Sequence, residues 1–227
     1  MPWNRAIFIA RLNIVSFSKT LAGALNADQR LMVEKLLIEE ERIFGQLQAD
    51  DAERDLMELL TLLAEWAAEL FDNCGAQGFI HTSREFKAVI ERVPVGMALG
   101  SHTGLCSTKN MAMVRFMPLD MPSYDLENIS SWDFRKTLPA NGPWPDVQAV
   151  RGTPVRPGVE AQFSDGEGGV ISVRMATEPV VDGTATVIAV MISIYELSVL
   201  GQELVAQEIR WLFHQERGRK FDRLRGR

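Results

Sequence analysis

The chain has 227 residues, 46% of them hydrophobic and 24% charged, with a formal net charge of −6. That composition belongs to a soluble globular protein and excludes a disordered or fibrous one. Two cysteines, Cys74 and Cys106, are too few for a disulfide scaffold or a cysteine-rich zinc site, so the expected compartment is the cytoplasm.

No stretch approaches the roughly 18 apolar residues needed to cross a bilayer, because Arg5, Arg11 and Lys19 interrupt the only candidate. That interruption also argues against a secretory signal, although the basic, acid-free start has the composition of a transit peptide. Charge is segregated along the chain: residues 1–26 hold those three bases and no acid, residues 28–75 hold thirteen acids against four bases, and residues 210–227 hold seven bases against two acids. An acidic body disfavours nucleic-acid binding, which needs clustered Lys and Arg. Only the tail, with Arg217, Arg219, Lys220, Arg223, Arg225 and Arg227, is suited to RNA, DNA or an anionic membrane surface, and a solvated helix end has the same composition.

After the basic segment 1–26, Met32, Leu36, Ile43 and Leu47 recur at helical steps among Glu34, Glu39, Glu40 and Glu41, which predicts an amphipathic helix over 28–47. It should weaken at Gly45, and Asp50-Asp51-Ala52-Glu53 offers a cap for a new start. Leu56, Leu59, Leu63, Trp66, Leu70 and Phe71 carry a second helix to a stop at Asn73-Cys74-Gly75, with 75–83 as linker. The expectation for 27–82 is therefore an antiparallel hairpin or one bent helix. Its spare apolar surface should seek either a second copy or the chain's own downstream domain.

Arg84 to Arg92 suits a short helix ending before Pro94. Val95–Ser101 and Leu105–Lys109 read as strands around a Thr103-Gly104 turn, and Met111–Met117 as a short helix. Pro118, Pro122, Pro139, Pro143, Pro145, Pro154 and Pro157 then rule out long regular elements through 158. Three further strands follow at Val159–Ser164, Gly169–Pro179 and Thr184–Ile194, divided by Asp165-Gly166-Glu167-Gly168 and by Asp182-Gly183, where Asp-Gly chemistry supplies positive φ. The run from Ala185 to Ile194 is nearly all apolar, as in a central strand covered on both faces. Leu197, Leu200, Leu204 and Trp211 start a helical stripe toward the basic tail.

This order of elements resembles a PAS domain over about residues 83–195. Phe86 to Leu99 looks like that family's first helix and strand, and Gly104 followed by Asn110 resembles its glycine turn and the asparagine that opens an inner helix. Pro145 to Gly152, ending in Arg151-Gly152, is similar to the helix that flanks the pocket. Glu196-Leu197-Ser198 stands where the family often has Asp-Ile-Thr between last strand and output helix. The resemblance implies an α+β fold: a five-stranded antiparallel sheet with short helices on one face, an N-terminal helical hairpin before it, and a C-terminal signalling helix over 196–227. At the junction a carboxylate beside a hydroxyl is suited to capping the helix while reaching a basic partner on the sheet; an ordinary cap without a switching role is the alternative.

The chemistry-bearing residues narrow the function. His81, His102 and His214 all fall outside 143–152, where a haem ligand would sit, and Cys106 lacks the Asn-Cys-Arg setting of a flavin-reactive cysteine. Cofactor identity stays open, with noncovalent flavin or another small organic ligand as options. Trp132, Trp144, Met175 and Met191 are candidates to line an apolar cavity and Arg151 to meet an anion, or these residues fill the core. Neither Gly100 to Gly104 nor Gly166 to Gly169 has the strand-to-helix setting of a nucleophile elbow or phosphate loop, and the Cys and His residues are scattered. No catalytic group emerges. The expectation is a non-enzymatic, homodimeric sensor that binds a small ligand or a signalling protein; the alternative is a regulatory nucleic-acid-binding protein using the basic tail.

Overall fold

The computed structural model describes residues 5–82, 84–101, 106–116, 132–133, 145–164 and 169–225. The Thr103-Gly104 and Asp165 to Gly168 turns and His102 lie outside these. Helices α1 (Arg5–Leu21) and α2 (Ala27–Thr82) come first, followed by α3 (Arg84–Ile90), β1 (Gly96–Ser101), β2 (Cys106–Lys109) and α4 (Met111–Val114). Next are β3 (Trp132–Asp133), α5 (Pro145–Val150), β4 (Val155–Ser164), β5 (Val170–Val181), β6 (Val187–Tyr195), α6 (Leu197–Leu200) and α7 (Glu203–Arg225). The fold is α+β, with a fully antiparallel sheet ordered β2-β1-β6-β5-β4-β3. Five of its strands are those expected, and a two-residue strand, β3, is added at the β4 edge.

Two boundaries move for local reasons. β4 begins at Val155, four residues before the expected Val159, because its pairing with β5 skips a stretch containing Pro157, which has no N–H to give. β5 runs past Pro179 to Val181; beyond Val155↔Thr177 it pairs with β6 alone, so a residue without a donor fits there. In the Asp182 turn the left-handed residue is Ala185, at φ 64°, and not Gly183. Asp182 Oδ1 accepts from the Thr184 and Thr186 backbone N–H groups and from the Thr184 hydroxyl, which holds its carboxyl below the usual aspartate range.

The N-terminal region departs most from expectation. Residues 1–26 contain a 17-residue helix, and α2 is one continuous 56-residue helix, about 84 Å long at 1.5 Å per residue, through Gly45, the Asp50 cap signal and the 73–75 stop alike. The expected linker at 75–83 is helical through Thr82. A helical hairpin does precede the sheet, but its turn lies at 22–26: Asn26 caps α2 through Gln29, and Asn13 Nδ2 donates to Glu40 at 3.0 Å across the antiparallel pair. Packing decides the continuity, since Ala49, Ala52, Leu56, Leu59, Leu60 and Leu63 are all buried on one side of α2.

That side rests on the sheet. Because successive strand residues point to opposite faces, Met191 and Tyr195 of β6, with Ala176 and Val180 of β5, join α2, α3 and α7 in one core. Val190, Ile192 and Ile194, with Val173 and Met175, form a second core under α4 and α5. β6 is thus covered on both faces, as its apolar run indicated. Of the two destinations expected for the apolar surface of 27–82, the part from Ala49 onward takes the chain's own downstream domain: α2 there and α7 cover the outer face of the sheet.

α7 runs parallel to α2. Gly201 lies against the Gly45 carbonyl, Arg210 pairs with Asp51 at 2.6 Å and Asp55 at 3.1 Å, and Lys220 pairs with Glu65. The acidic block and the basic tail are therefore partners along one seam. The buried side of α7 is Ala206, Ile209, Leu212 and Phe213; Leu204 and Trp211, expected to lead the apolar stripe, are 81% and 46% exposed. Trp211 instead carries the Arg92 guanidinium over its ring at 4.3 Å.

Candidate functional site

The end of β6 gathers the polar groups of the molecule. Tyr195 points to the outer face, where its hydroxyl donates to Glu53 Oε1 of α2 at 2.8 Å and accepts from the Gly158 N–H at 3.2 Å. Arg174 of β5 lies on the same face and donates through Nη1 to both Glu53 oxygens, at 2.8 and 2.9 Å, and through Nη2 to Glu160 of β4 at 2.8 Å. Burial, and then Glu53, push the Tyr195 hydroxyl above its usual range, so it stays a neutral donor. Burial works against the Arg174 charge, but the hydrogen bonds to Glu160 and Glu53 outweigh it and hold the guanidinium more firmly protonated than usual.

The next residue turns to the other layer. Glu196, N-cap of α6, makes no side-chain cap bond; its Oε1 accepts from Arg115 Nη1 at 2.8 Å, just after α4. The expected basic partner thus exists, but follows an inner helix and is not on the sheet. The N–H groups of Val199 and Leu200 both donate to the Glu196 carbonyl, so the first turn of α6 closes on the backbone. Glu196, Leu197 and Ser198 line, with Glu160 and Arg174, an open groove of about 320 Å³.

Asn110 anchors the inner layer. As N-cap of α4 its Oδ1 accepts from Met113 N and Met97 N, both at 2.9 Å, and its Nδ2 donates to the carbonyls of Ile90, Val93 and Val95 at 2.8 to 3.0 Å. One 1%-exposed amide therefore joins α3, β1 and α4. α5 is fixed beneath the sheet by Thr177 Oγ1, which donates to the Pro145 carbonyl at 2.9 Å. It ends at the expected Arg151-Gly152, with Gly152 at φ 83° and the N–H groups of Gly152 and Thr153 bonded back to Ala149 and Gln148.

Met175 and Met191, both expected to line one cavity, do not meet. Met175 is buried in the inner core and Met191 in the outer one, on opposite sides of the sheet, because odd positions of β5 and β6 have opposite facing in the observed register. Arg151 is exposed beyond α5. Trp144 and the side chain of Trp132 lie outside the described residues, as do the side chains of Cys74, His81 and Cys106; His214 is exposed on α7 against Phe213. Arg174, Tyr195 and Arg115 were not singled out from the sequence, and Glu53 only as part of a helix cap. A signal existed for one of them: Arg174 and Glu178, four apart in a strand expected inside the sheet, put two charges on one face. Glu178 is 7% exposed; Arg156 Nη2 donates to its Oε1 at 2.7 Å, and Arg156 Nε stands 2.7 Å from its Oε2, outside hydrogen-bond alignment.

This arrangement positions and couples elements; its charged groups are taken up by one another. Arg210 and Lys220, two bases of the tail region, are engaged by α2, which reduces what is available to nucleic acid. Among the described residues no helix is long and apolar enough to cross a membrane. No family model matches the chain, and no curated protein matches it. Thirteen chains of solved structures match, among them the structure of an RNA-binding light-oxygen-voltage receptor, at 12% identity and a TM-score of 0.30 over 60% of this chain. The match spans 37% of that receptor's chain.

Proposed function

We propose that the chain is a non-enzymatic sensory module. Its PAS-like sheet passes the state of the inner layer, where a small ligand or protein partner would act, to the parallel helices α2 and α7, which join a second copy. The supporting observation is the pair of opposite ties at consecutive residues: Tyr195 is held to Glu53 on the outer layer and Glu196 to Arg115 on the inner one. A shift of α4 must then move the start of α6, and with it the seam between α7 and α2.

Hydrogen–deuterium exchange tests the relay. Arg115→Ala should leave global stability within about 1 kcal/mol of wild type, since exposed ion pairs contribute little. It should nonetheless raise exchange over 197–209, in α6 and the first turns of α7. Unchanged exchange there would sink the relay. Native mass spectrometry with an absorption spectrum reads ligand occupancy, and light scattering at tens of micromolar reads the dimer; a strict monomer removes the dimeric part.

A further inference from the structure

We infer that the open groove beside α6 is a docking site for an extended peptide, which joins the sheet as an added strand on the open edge of β5. The sensory reading above does not require this site, and the site needs no second copy. β6 pairs with β5 only as far as Arg174↔Tyr195, and the chain then leaves the sheet at Glu196 to start α6. β5 begins four residues earlier, at Val170, and on its other side stays paired with β4 through Ser164↔Val170. In an antiparallel ladder alternate residues turn their N–H and C=O groups to opposite neighbours. Two of the four residues 170–173 therefore present theirs where β6 has already left. No backbone bond from another described element takes them up.

The groove of about 320 Å³ lies at this place. One wall takes Ile171 and Val173 from the inner side of β5 together with Ser172 and Arg174 from its outer side, so the groove opens along the edge of the strand and not over one face. Glu196, Leu197 and Ser198 form the opposite wall. Residues 170–173 are β-branched at three of four positions and carry none of the lysine, proline or bulge with which sheets blunt an exposed edge. Charge selects the occupant. Among the described residues that line the groove or pair with its walls, the carboxylates of Glu53, Glu160 and Glu196 meet the guanidinium groups of Arg174 and Arg115, which leaves one negative charge in excess. The Glu160 side chain is 59% exposed. That favours a peptide with Lys or Arg among β-branched residues and disfavours an acidic one. A second copy fits poorly. Paired strands lie about 4.8 Å apart, whereas the helix beside each edge is about 10 Å across, so two such edges collide before they pair.

Amide exchange followed by NMR on the full chain is the test. Without peptide, two of the amides of 170–173 should exchange quickly and two, those turned to β4, slowly. A five-residue peptide of alternating valine and lysine, blocked at both ends, should slow the two fast amides at least about 10-fold when bound. The same peptide N-methylated at every residue has no backbone donors and should bind at least about 10-fold more weakly. A counterpart with glutamate in place of lysine should also bind more weakly. Ser198→Trp changes an exposed residue and fills the groove, so it should abolish binding while the melting profile is retained. The docking site is overturned if all four amides are slow in the free chain at every concentration, since the edge is then already taken. It is overturned equally if the peptide does not bind, if N-methylation makes no difference, or if folded Ser198→Trp binds as the wild type does. Protection that rises with protein concentration would give the edge to a second copy and remove the peptide.

Discussion

The hydroxyl of Tyr195 and the carboxylate of Glu53 meet at 2.8 Å, although 142 residues separate them. Removing only the hydroxyl, with Tyr195→Phe, should lower unfolding stability by about 1.5–3 kcal/mol, the range for a hydrogen bond to a charged group. Glu53→Gln should cost more, because it also strips Arg174 of its partner. The two changes should couple by about 1 kcal/mol in a double-mutant cycle in urea. Additive losses would mean the contact carries no energy of its own.

Asn110 is expected to be the most sensitive polar residue. Its amide serves five backbone groups at once, so Asn110→Ala should cost at least about 3 kcal/mol in chemical denaturation through carbonyls and N–H groups left buried. Asn110→Asp should be worse, since it aims a carboxylate at three carbonyl oxygens. Equal stability of wild type and Asn110→Asp would contradict the assigned bonds.

Two facing glycines should respond with opposite signs. A Cβ on Gly45 meets nothing within 4 Å, so Gly45→Ala should stabilise by about 0.5–1 kcal/mol, the helix-interior difference between the two residues. A Cβ on Gly201 would come within 3.1 Å of the Gly45 carbonyl, a backbone atom with little room to give. Gly201 has ordinary helical φ, so space alone decides, and Gly201→Ala should destabilise in the same thermal assay.

Glu178 should make stability depend on pH. Burial, only partly offset by Arg156, raises its pKa above the ordinary 4.5, with Glu65 adding to the rise. Between the ordinary and the raised value the native state holds a proton that the unfolded chain has released. This contribution is full below the ordinary value and is lost as pH rises through the raised one. The stability of wild type relative to Glu178→Gln should therefore increase as pH falls from 7 toward 4.5 in denaturant titrations; a flat difference would contradict it.

How far the sequence could be read varied with the range of the interactions. The five strands and the short helices α3 and α4 were legible because alternation and helix-stop signals are decided within a few residues, whereas α5, the Asn110 cap and the Arg151-Gly152 stop were expected from the resemblance to a PAS domain. Gly45, Asp50 and Asn73-Cys74-Gly75 carried equally local stop signals, and α2 runs through them all: burial of Ala49 to Leu63 against a sheet whose strands β5 and β6 lie more than a hundred residues on outweighs about 1 kcal/mol of glycine propensity.

The site was less legible than the fold. Glu196 was found because Glu196-Leu197-Ser198 resembles the PAS family's junction after the last strand, but its partner Arg115 and the Glu53–Arg174–Tyr195 group depend on contacts from distant elements. Met175 and Met191 look alike as apolar residues in neighbouring strands; only the register between β5 and β6 sends them to opposite cores. The sequence by itself determined five of the strands, the two-sided burial of β6 and the separation of acidic from basic segments. The tertiary structure alone decided that those segments lie side by side as α2 and α7, because complementary charge specifies attraction without specifying which surfaces meet, and the packing of α2 on the sheet chooses them.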